Sequence, residues 1–297
     1  MRARSVYSFA TGLAVVGAAT LAYASLVERN LFTLRRFDVP LLPPDAEPLR
    51  VLHVSDLHLT PEQRRKQQWV ADLAGVDPDL VVITGDNIAH ADAVPALVRA
   101  YGPLFRFPGA FVFGSNDYRG PIFKNPFGYF DSERDYVQGA ELPYEDLRRI
   151  LTDAGWADLN NARVTLKAGG QAVELVGVDD PHIERDDYAS VAGPVDGAAD
   201  VHIGVVHSPE PRVLDDMAAD GFSLLLAGHT HGGQVCVPGV GALVTNCGLD
   251  RRMAKGLHRW PGSNGWLHVS AGLGTHPTAP VRFACRPEAS LLTLVPR

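Results

Sequence analysis

Phe222-Ser223-Leu224-Leu225-Leu226-Ala227-Gly228-His229-Thr230-His231-Gly232-Gly233-Gln234 joins an apolar run of strand length to two imidazoles two residues apart. Where the backbone leaves the extended form at the end of a buried strand, two such side chains can turn the same way, and a metal site can be built from them. Gly228 and the pair Gly232-Gly233 carry no Cβ, so the chain can bend sharply there and come close to an ion. The spacing alone fits two surface histidines in a glycine-rich turn equally well. The rest of the chain decides between the two.

Upstream the same pattern recurs. Leu49 to Val54 runs into Ser55-Asp56-Leu57-His58, Leu80 to Ile83 into Thr84-Gly85-Asp86-Asn87, and Ala110 to Phe113 into Gly114-Ser115-Asn116-Asp117; Val201 to Val206 ends at His207. Nearly continuous apolar runs of this length are strands buried on both faces, as in a sheet covered by helices. Ligands of such sheets sit beyond the carboxyl ends of the strands, where all of these polar residues fall. Helices are expected over Glu62 to Leu73, Ala93 to Leu104 and Tyr144 to Ala154, with Pro78, Pro103 and Gly155 as stops. A further helix is expected from Ser208 as N-cap and Pro209 as first residue to Asp220, ended by Gly221. Val173 to Val178, Trp266 to Val269 and Ser290 to Val295 supply more strands.

The 297 residues suffice for one large α/β domain, and 46% hydrophobic residues exclude a disordered chain. A net charge of −7 offers no general attraction to nucleic acid, so none is expected as a partner, and an anionic substrate needs a local device such as bound cations. Cys236, Cys247 and Cys285 show no C-x-x-C spacing, which excludes a thiolate zinc site of the usual kind. Oligomeric state leaves no signal. Residues 1–30 differ in kind: after Arg2 and Arg4, Ser8 to Val27 is uncharged and long enough to cross a hydrocarbon core of about 30 Å. The reading is a retained membrane anchor. Ala22-Tyr23-Ala24 as a signal-peptide cleavage site is the alternative, and the arginines on either side leave the orientation open. Residues 31–48, with Pro40, Pro43 and Pro44, read as a stiff extended linker, and residues 49–297 as the catalytic domain.

Asp56, His58, Asp86, Asn116, His207, His229 and His231 make seven candidate ligands, each at a strand end: two carboxylates, one amide and four imidazoles. Two divalent ions need about this many donors when one carboxylate bridges them. Oxygen donors mixed with imidazole suit manganese, iron or zinc in a catalytic rather than a structural site. The order D-x-H, G-D, G-S-N-D, a lone histidine and G-H-T-H-G-G-Q resembles the calcineurin-like metallophosphoesterases, and within them the bacterial, often membrane-tethered phosphodiesterase branch. The likeness extends over most of the span from Leu49 to Pro296, including Gly272-Leu273-Gly274-Thr275 and Pro280-Val281-Arg282-Phe283. It implies a four-layer αββα sandwich. It also implies one metal on Asp56, His58, Asp86 and His231 and another on Asp86, Asn116, His207 and His229, with Asp86 bridging.

One motif departs from the family pattern G-N-H-[DE]. If the turn is one residue longer, Asn116 is the ligand and Asp117 stands at the histidine position, as a poor general acid beside two dications. Without that insertion Ser115 takes the ligand position and Asn116 replaces the histidine. The first register is preferred, because an amide oxygen is a better neutral ligand than a hydroxyl, and it makes Asn116 and Asp117 the candidate catalytic pair. The implied reaction is hydrolysis of a phosphoester, a phosphodiester before a monoester, with two ions roughly 3.5 to 4 Å apart holding and deprotonating a bridging water. Arg119, Arg251 and Arg252 are candidate phosphate contacts. Between Tyr118 and Pro143 an insert carries Phe123, Phe127, Tyr129, Phe130 and Tyr136; it reads either as a lid for an apolar, lipid-linked substrate or as a satellite cluster on the domain. Two rivals remain. A metallo-β-lactamase type expects H-x-H-x-D-H, which Gly232-Gly233-Gln234 does not supply, and a binding module would have kept the sandwich and lost the chemistry.

Overall fold

Leu49–Val54 shows how the layers arise: Leu49 and Val51 point one way into one buried cluster, Leu52 and Val54 the other way into a second. The same alternation places Leu80 and Val82 opposite Val81 and Ile83, Ala110 and Val112 opposite Phe111 and Phe113, and Leu224 and Leu226 opposite Leu225 and Ala227. Period-two side chains that are apolar on both faces need a cover on each face. In the computed structural model, which describes residues 2–122, 139–276 and 278–297, two sheets provide one of those covers for each other.

The first sheet runs in the order β1 (Thr33–Leu42), β14 (Glu288–Pro296), β2 (Leu49–Val54), β3 (Leu80–Thr84), β4 (Gly109–Val112), β5 (Ala157–Asp158). The second runs β12 (Gly256–Arg259), β13 (Trp266–Val269), β9 (Leu224–Ala227), β8 (Val201–Val205), β7 (Gln171–Gly177), β6 (Ala162–Ala168). Inside each, β2 to β5 and β7, β8, β9 and β13 pair in parallel, so their carboxyl ends share a rim. Val51, Val82 and Val112 from one sheet meet Leu175, Ile203 and Leu226 from the other in the central core. Helices α2 (Arg64–Asp72), α3 (Val94–Tyr101) and α5 (Tyr144–Asp153) cover the outer face of the first sheet, and α6 (Pro211–Ala219) that of the second. The layers are therefore α, β, β, α.

Two elements differ from expectation. Helix α6 begins at Pro211, three residues beyond Ser208. A residue before proline is kept out of the helical region, and Glu210 is extended at φ −73°, ψ 124°, so the helix starts at the second proline of Ser208-Pro209-Glu210-Pro211 rather than the first. Of the expected linker, Thr33–Leu42 is extended and also paired, β1 lying parallel to β14 with Val39, Leu41 and Leu42 buried, whereas Pro43 to Ala46 form a turn in which Ala46 N donates to Pro43 O. Pro40 is tolerated because β1 is an edge strand, and the register slips between Pro40 and Leu42.

The N-terminal segment forms α1 (Arg2–Ala22), continued by a wider turn over Tyr23–Val27. Residues Thr11–Asn30 are long and apolar enough to cross a membrane, by length and composition. The helix end is tied to the domain: Arg282 N donates to Ala24 O at 3.1 Å, and Cys285 N donates to the buried Glu28 carboxylate at 2.7 Å. The aromatic insert from Phe123 through Tyr136 lies outside the described residues.

Candidate metal centre

Asp56 and His58 leave the end of β2, Asp86 that of β3, His207 that of β8, and His229 and His231 that of β9. Leaving a strand this way requires sharp turns. Asp56, His58, Asp86, His229 and His231 all adopt φ between 42° and 68°, the left-handed region that non-glycine residues seldom enter. Each costs about 1 to 3 kcal/mol, and such strain persists where the surroundings impose it, as they do at functional sites. The surroundings are visible here. Asp56 N donates to Gly85 O and His58 N to Asp86 O, both at 2.9 Å, and the buried Lys66 donates to Leu57 O at 2.7 Å. Gly228 and Gly114 complete the cradle: a Cβ on the first would strike Ser55 and Asp56, and one on the second Asp86 and His207.

The donor atoms of Asp56, His58, Asp86 and His231 all lie within 4.8 Å of one another. His58 Nε2 is 3.1 Å from His231 Nε2, and His231 Nε2 is 3.7 Å from Asp56 Oδ1. Asp86 Oδ2 stands between two groups of donors, 3.4 Å from His58 Nε2 on one side and 3.5 Å from His207 Nε2 on the other. Asn116 lies on the second side, its backbone N–H donating to Asp86 Oδ1 and its amide Nδ2 to Asp86 Oδ2, each at 2.8 Å. A half-turn of that amide presents its oxygen at the same place. The rings of His207 and His229 are 5.3 Å apart. All seven sequence candidates thus meet at one rim.

The tautomers suit cations. His207 Nδ1 faces Thr84 O at 2.6 Å, and His229 Nε2 faces Asn246 O at 3.2 Å. A carbonyl only accepts, so each of these nitrogens carries the proton and leaves the lone pair on the other nitrogen, the arrangement that orients metal-binding histidines. His207 Nε2 is buried with no hydrogen-bond partner, and so is His58 Nδ1. Burial pushes His58 down to about 3 and holds His229 and His231 well below the usual imidazole range, which keeps these rings neutral. Burial also pushes the carboxyls up, to about 6 at Asp56, whereas at Asp86 the neighbouring His207 and His58 outweigh burial and hold it well below the carboxylate range. Burial lowers His207 as well, but Asp86, Asp180 and Asp56 raise it well above its ordinary value, so the acids favour positive charge at this spot. Buried acids and neutral imidazoles facing one another are a donor set for divalent metal.

The other candidates lie differently. Asp117 is fully buried, with Asp86 N, Asn87 N and Gly114 N donating to its carboxylate at 2.7 to 3.0 Å, so its oxygens hold the Asp86 loop against the short helix α4 (Ser115–Tyr118). Arg119 pairs with Glu141 at 3.7 Å and Arg252 with Asp250 at 2.6 Å; among the described hydrogen bonds and ion pairs neither they nor Arg251 reach the Asp and His cluster. Reasoning from sequence missed Asp180 and His182, which follow β7 at the same rim, with the His182 ring 4.6 Å from that of His229. Val173 to Val178, apolar but for Glu174 and ending in Asp179-Asp180, carries the same signal met at the other strands. It also missed Arg282, fully buried, which donates to the carbonyls of Ala271, Gly272, Gly274 and His231.

Comparison with known proteins agrees with this geometry. The chain is 27% identical over 252 residues to the uncharacterized metallophosphoesterase YkoQ of Bacillus subtilis, covering 83% of this chain and 84% of that one. It is 25% identical to phosphodiesterase YaeI of Escherichia coli over 99% of this chain and 100% of the relative, and 24% identical to UDP-2,3-diacylglucosamine pyrophosphatase LpxG of Chlamydia trachomatis over 92% of each. The sequence profile of the calcineurin-like phosphoesterases matches residues 49–233. That span holds every one of the seven converging donors, and the chain belongs to the calcineurin-like phosphoesterases, hydrolases of phosphoric esters.

Proposed function

We propose that this protein is a phosphodiesterase working with two divalent cations, one held by Asp56, His58, Asp86 and His231 and the other by Asp86, Asn116, His207 and His229. The observation that carries the reading is the position of Asp86 Oδ2, within 3.5 Å of a donor from each group. The oxygen and imidazole donors suit manganese, iron or zinc. When bound, such a pair of cations supplies charge neutralisation at phosphorus and lowers the pKa of an attacking water. The chain's own residues do the rest. Thr84 and Asn246 hold His207 and His229 in the tautomers that leave a lone pair for metal, and Asp117 and Lys66 fix the loops bearing Asp86, Asp56 and His58. His182, whose ring lies 4.6 Å from that of His229, is the imidazole assigned here to donate a hydrogen bond to the departing oxygen, a task that family members give to the turn where this chain has Asn116-Asp117.

The substrate is a membrane-proximal or lipid-linked phosphodiester, and α1 is the membrane anchor. LpxG, by its name, acts on a diacylated nucleotide sugar, and the exposed apolar length of Thr11–Asn30 supports a site held near lipid. Retention of both carboxylates and all four imidazoles disfavours a binding module without chemistry. The test is hydrolysis of bis(p-nitrophenyl) phosphate with added manganese by the unaltered protein and by His229→Ala. A loss of about 100-fold is expected. Equal rates would remove the assignment.

A further inference from the structure

Exposed large apolar side chains are confined, among the described residues, to α1 and its continuation, to Val98, and to one hairpin over residues 235–244. In that hairpin β10 (Cys236–Val237) pairs antiparallel with β11 (Gly241–Ala242). Cys236 and Ala242 turn inward and pack with Ala254, Ala271 and Cys285. On the outward side a soluble hairpin would carry polar residues, but the sequence Val-Cys-Val-Pro-Gly-Val-Gly-Ala-Leu-Val contains none. Val240 is 64% and Leu243 52% exposed, joined by Val235, Val237 and Val244. A contiguous apolar patch on a hairpin tip marks a docking surface.

Its position names the occupant. The segment 279–285 lies between the hairpin and the end of α1 and is bonded to both: Cys236 N donates to Phe283 O at 2.9 Å and Phe283 N to Gln234 O at 3.1 Å, while Arg282 N donates to Ala24 O at 3.1 Å. Whatever surface receives α1 therefore adjoins the hairpin. The hairpin is also rooted on the candidate metal centre, since β11 packs where a Cβ on Gly233 would stand, and Asn246 at the end of the descending limb accepts from His229. Arg251 and Arg252, the second paired with Asp250, lie exposed in the turn packed beside β11, and cationic side chains so placed suit anionic lipid headgroups.

We propose that the 235–244 hairpin is a second membrane contact: its tip enters the headgroup and upper acyl region of the bilayer that receives α1, and it sets the metal centre at headgroup height, so that the substrate is a phosphodiester still seated in the membrane. This rests on the phosphodiesterase reading and on α1 as an anchor. It adds a surface and a substrate class to both. A single helix would leave the domain free to swivel, whereas two contacts flanking the strap 279–285 fix which face of the domain looks at the lipid.

The experiment uses the full chain in vesicles of phosphatidylethanolamine and phosphatidylglycerol in equal parts, with bromine on the acyl chains either near the headgroup or near the chain end. The indole introduced by Val240→Trp is expected to be quenched beyond the unaltered protein, more strongly by the shallow bromines. Emission typical of water with no added quenching overturns the proposal, as does an indole shielded from water but untouched by bromine, which points to a second copy of the chain or another protein. A second measurement compares Val240→Asp combined with Leu243→Asp on two substrates. Hydrolysis of hexadecyl p-nitrophenyl phosphate held in the vesicles should fall about tenfold or more, with soluble bis(p-nitrophenyl) phosphate unchanged. Equal loss on both, or no loss in the vesicles, counts against the hairpin. If the unaltered protein cleaves neither ester, the phosphodiesterase reading fails, and the bromine quenching still judges the membrane contact by itself.

Discussion

Asp117 shows how far one side chain's role can be read from a motif. From the sequence, Gly114-Ser115-Asn116-Asp117 admitted two registers against the family pattern, because letters do not say which side chain faces the metal. The fold brings the Asn116 amide to within 2.8 Å of Asp86 and turns Asp117 away, into backbone amides. Burial and the nearby Asp86 push the Asp117 carboxyl up to about 7, against the pull of the Gly114 and Asn87 N–H groups. Asp117→Asn replaces an acceptor by a donor facing N–H groups and should lower stability by about 2 to 3 kcal/mol, measured by urea unfolding. Its turnover should fall by the same factor for p-nitrophenyl and alkyl leaving groups, since the residue positions Asp86 and moves no proton. His182→Ala should behave oppositely, losing the alkyl leaving group far more than the aryl one. If the two variants exchange these patterns, the roles assigned to them are reversed.

At the level of elements, the strands and their polar ends were legible because a strand buried on both faces leaves an unmistakable apolar run, and each polar break sits where the turn must be. What was not legible depends on partners distant in sequence. Prolines 40, 43 and 44 announce extended chain, but nothing local says that β1 finds β14. Arg282 stands in a stretch that carries the family likeness, but its role shows only when the fold wraps carbonyls from residues 231, 271, 272 and 274 around it. Arg282→Met leaves those carbonyls without a donor in a buried place, and stability should drop by about 3 kcal/mol or more, read from thermal unfolding. Because the same guanidinium braces the His231 carbonyl, the variant should also surrender its metal at a lower chelator concentration than the unaltered protein. Loss of stability with unchanged chelator resistance would confine Arg282 to packing.

Across the whole molecule, the two sheets enclose an imidazole pair that no motif announces: His53 Nδ1 meets His268 Nδ1 at 2.9 Å, and His53 Nε2 meets Thr84 Oγ1 at 2.8 Å. Burial pushes His53 down to about 3. A depressed imidazole is neutral when folded and takes up a proton on unfolding, so its share of stability is complete above the unfolded value of about 6.5. That share declines as pH falls from there towards 3, by about 1.4 kcal/mol per pH unit. Urea midpoints measured between pH 7 and 4.5 should fall accordingly, and the slope should flatten in His53→Asn. The seating of β14 has a different kind of consequence. Arg35 and Glu288 bond across 253 residues, and β14 slides between β1 and β2, two strands synthesised long before it. A nascent chain must wait, with two naked strand flanks, until translation delivers their common neighbour. Biogenesis rather than the mature fold is then the fragile stage, and removal of residues 288–297 should yield aggregates instead of a weakened enzyme.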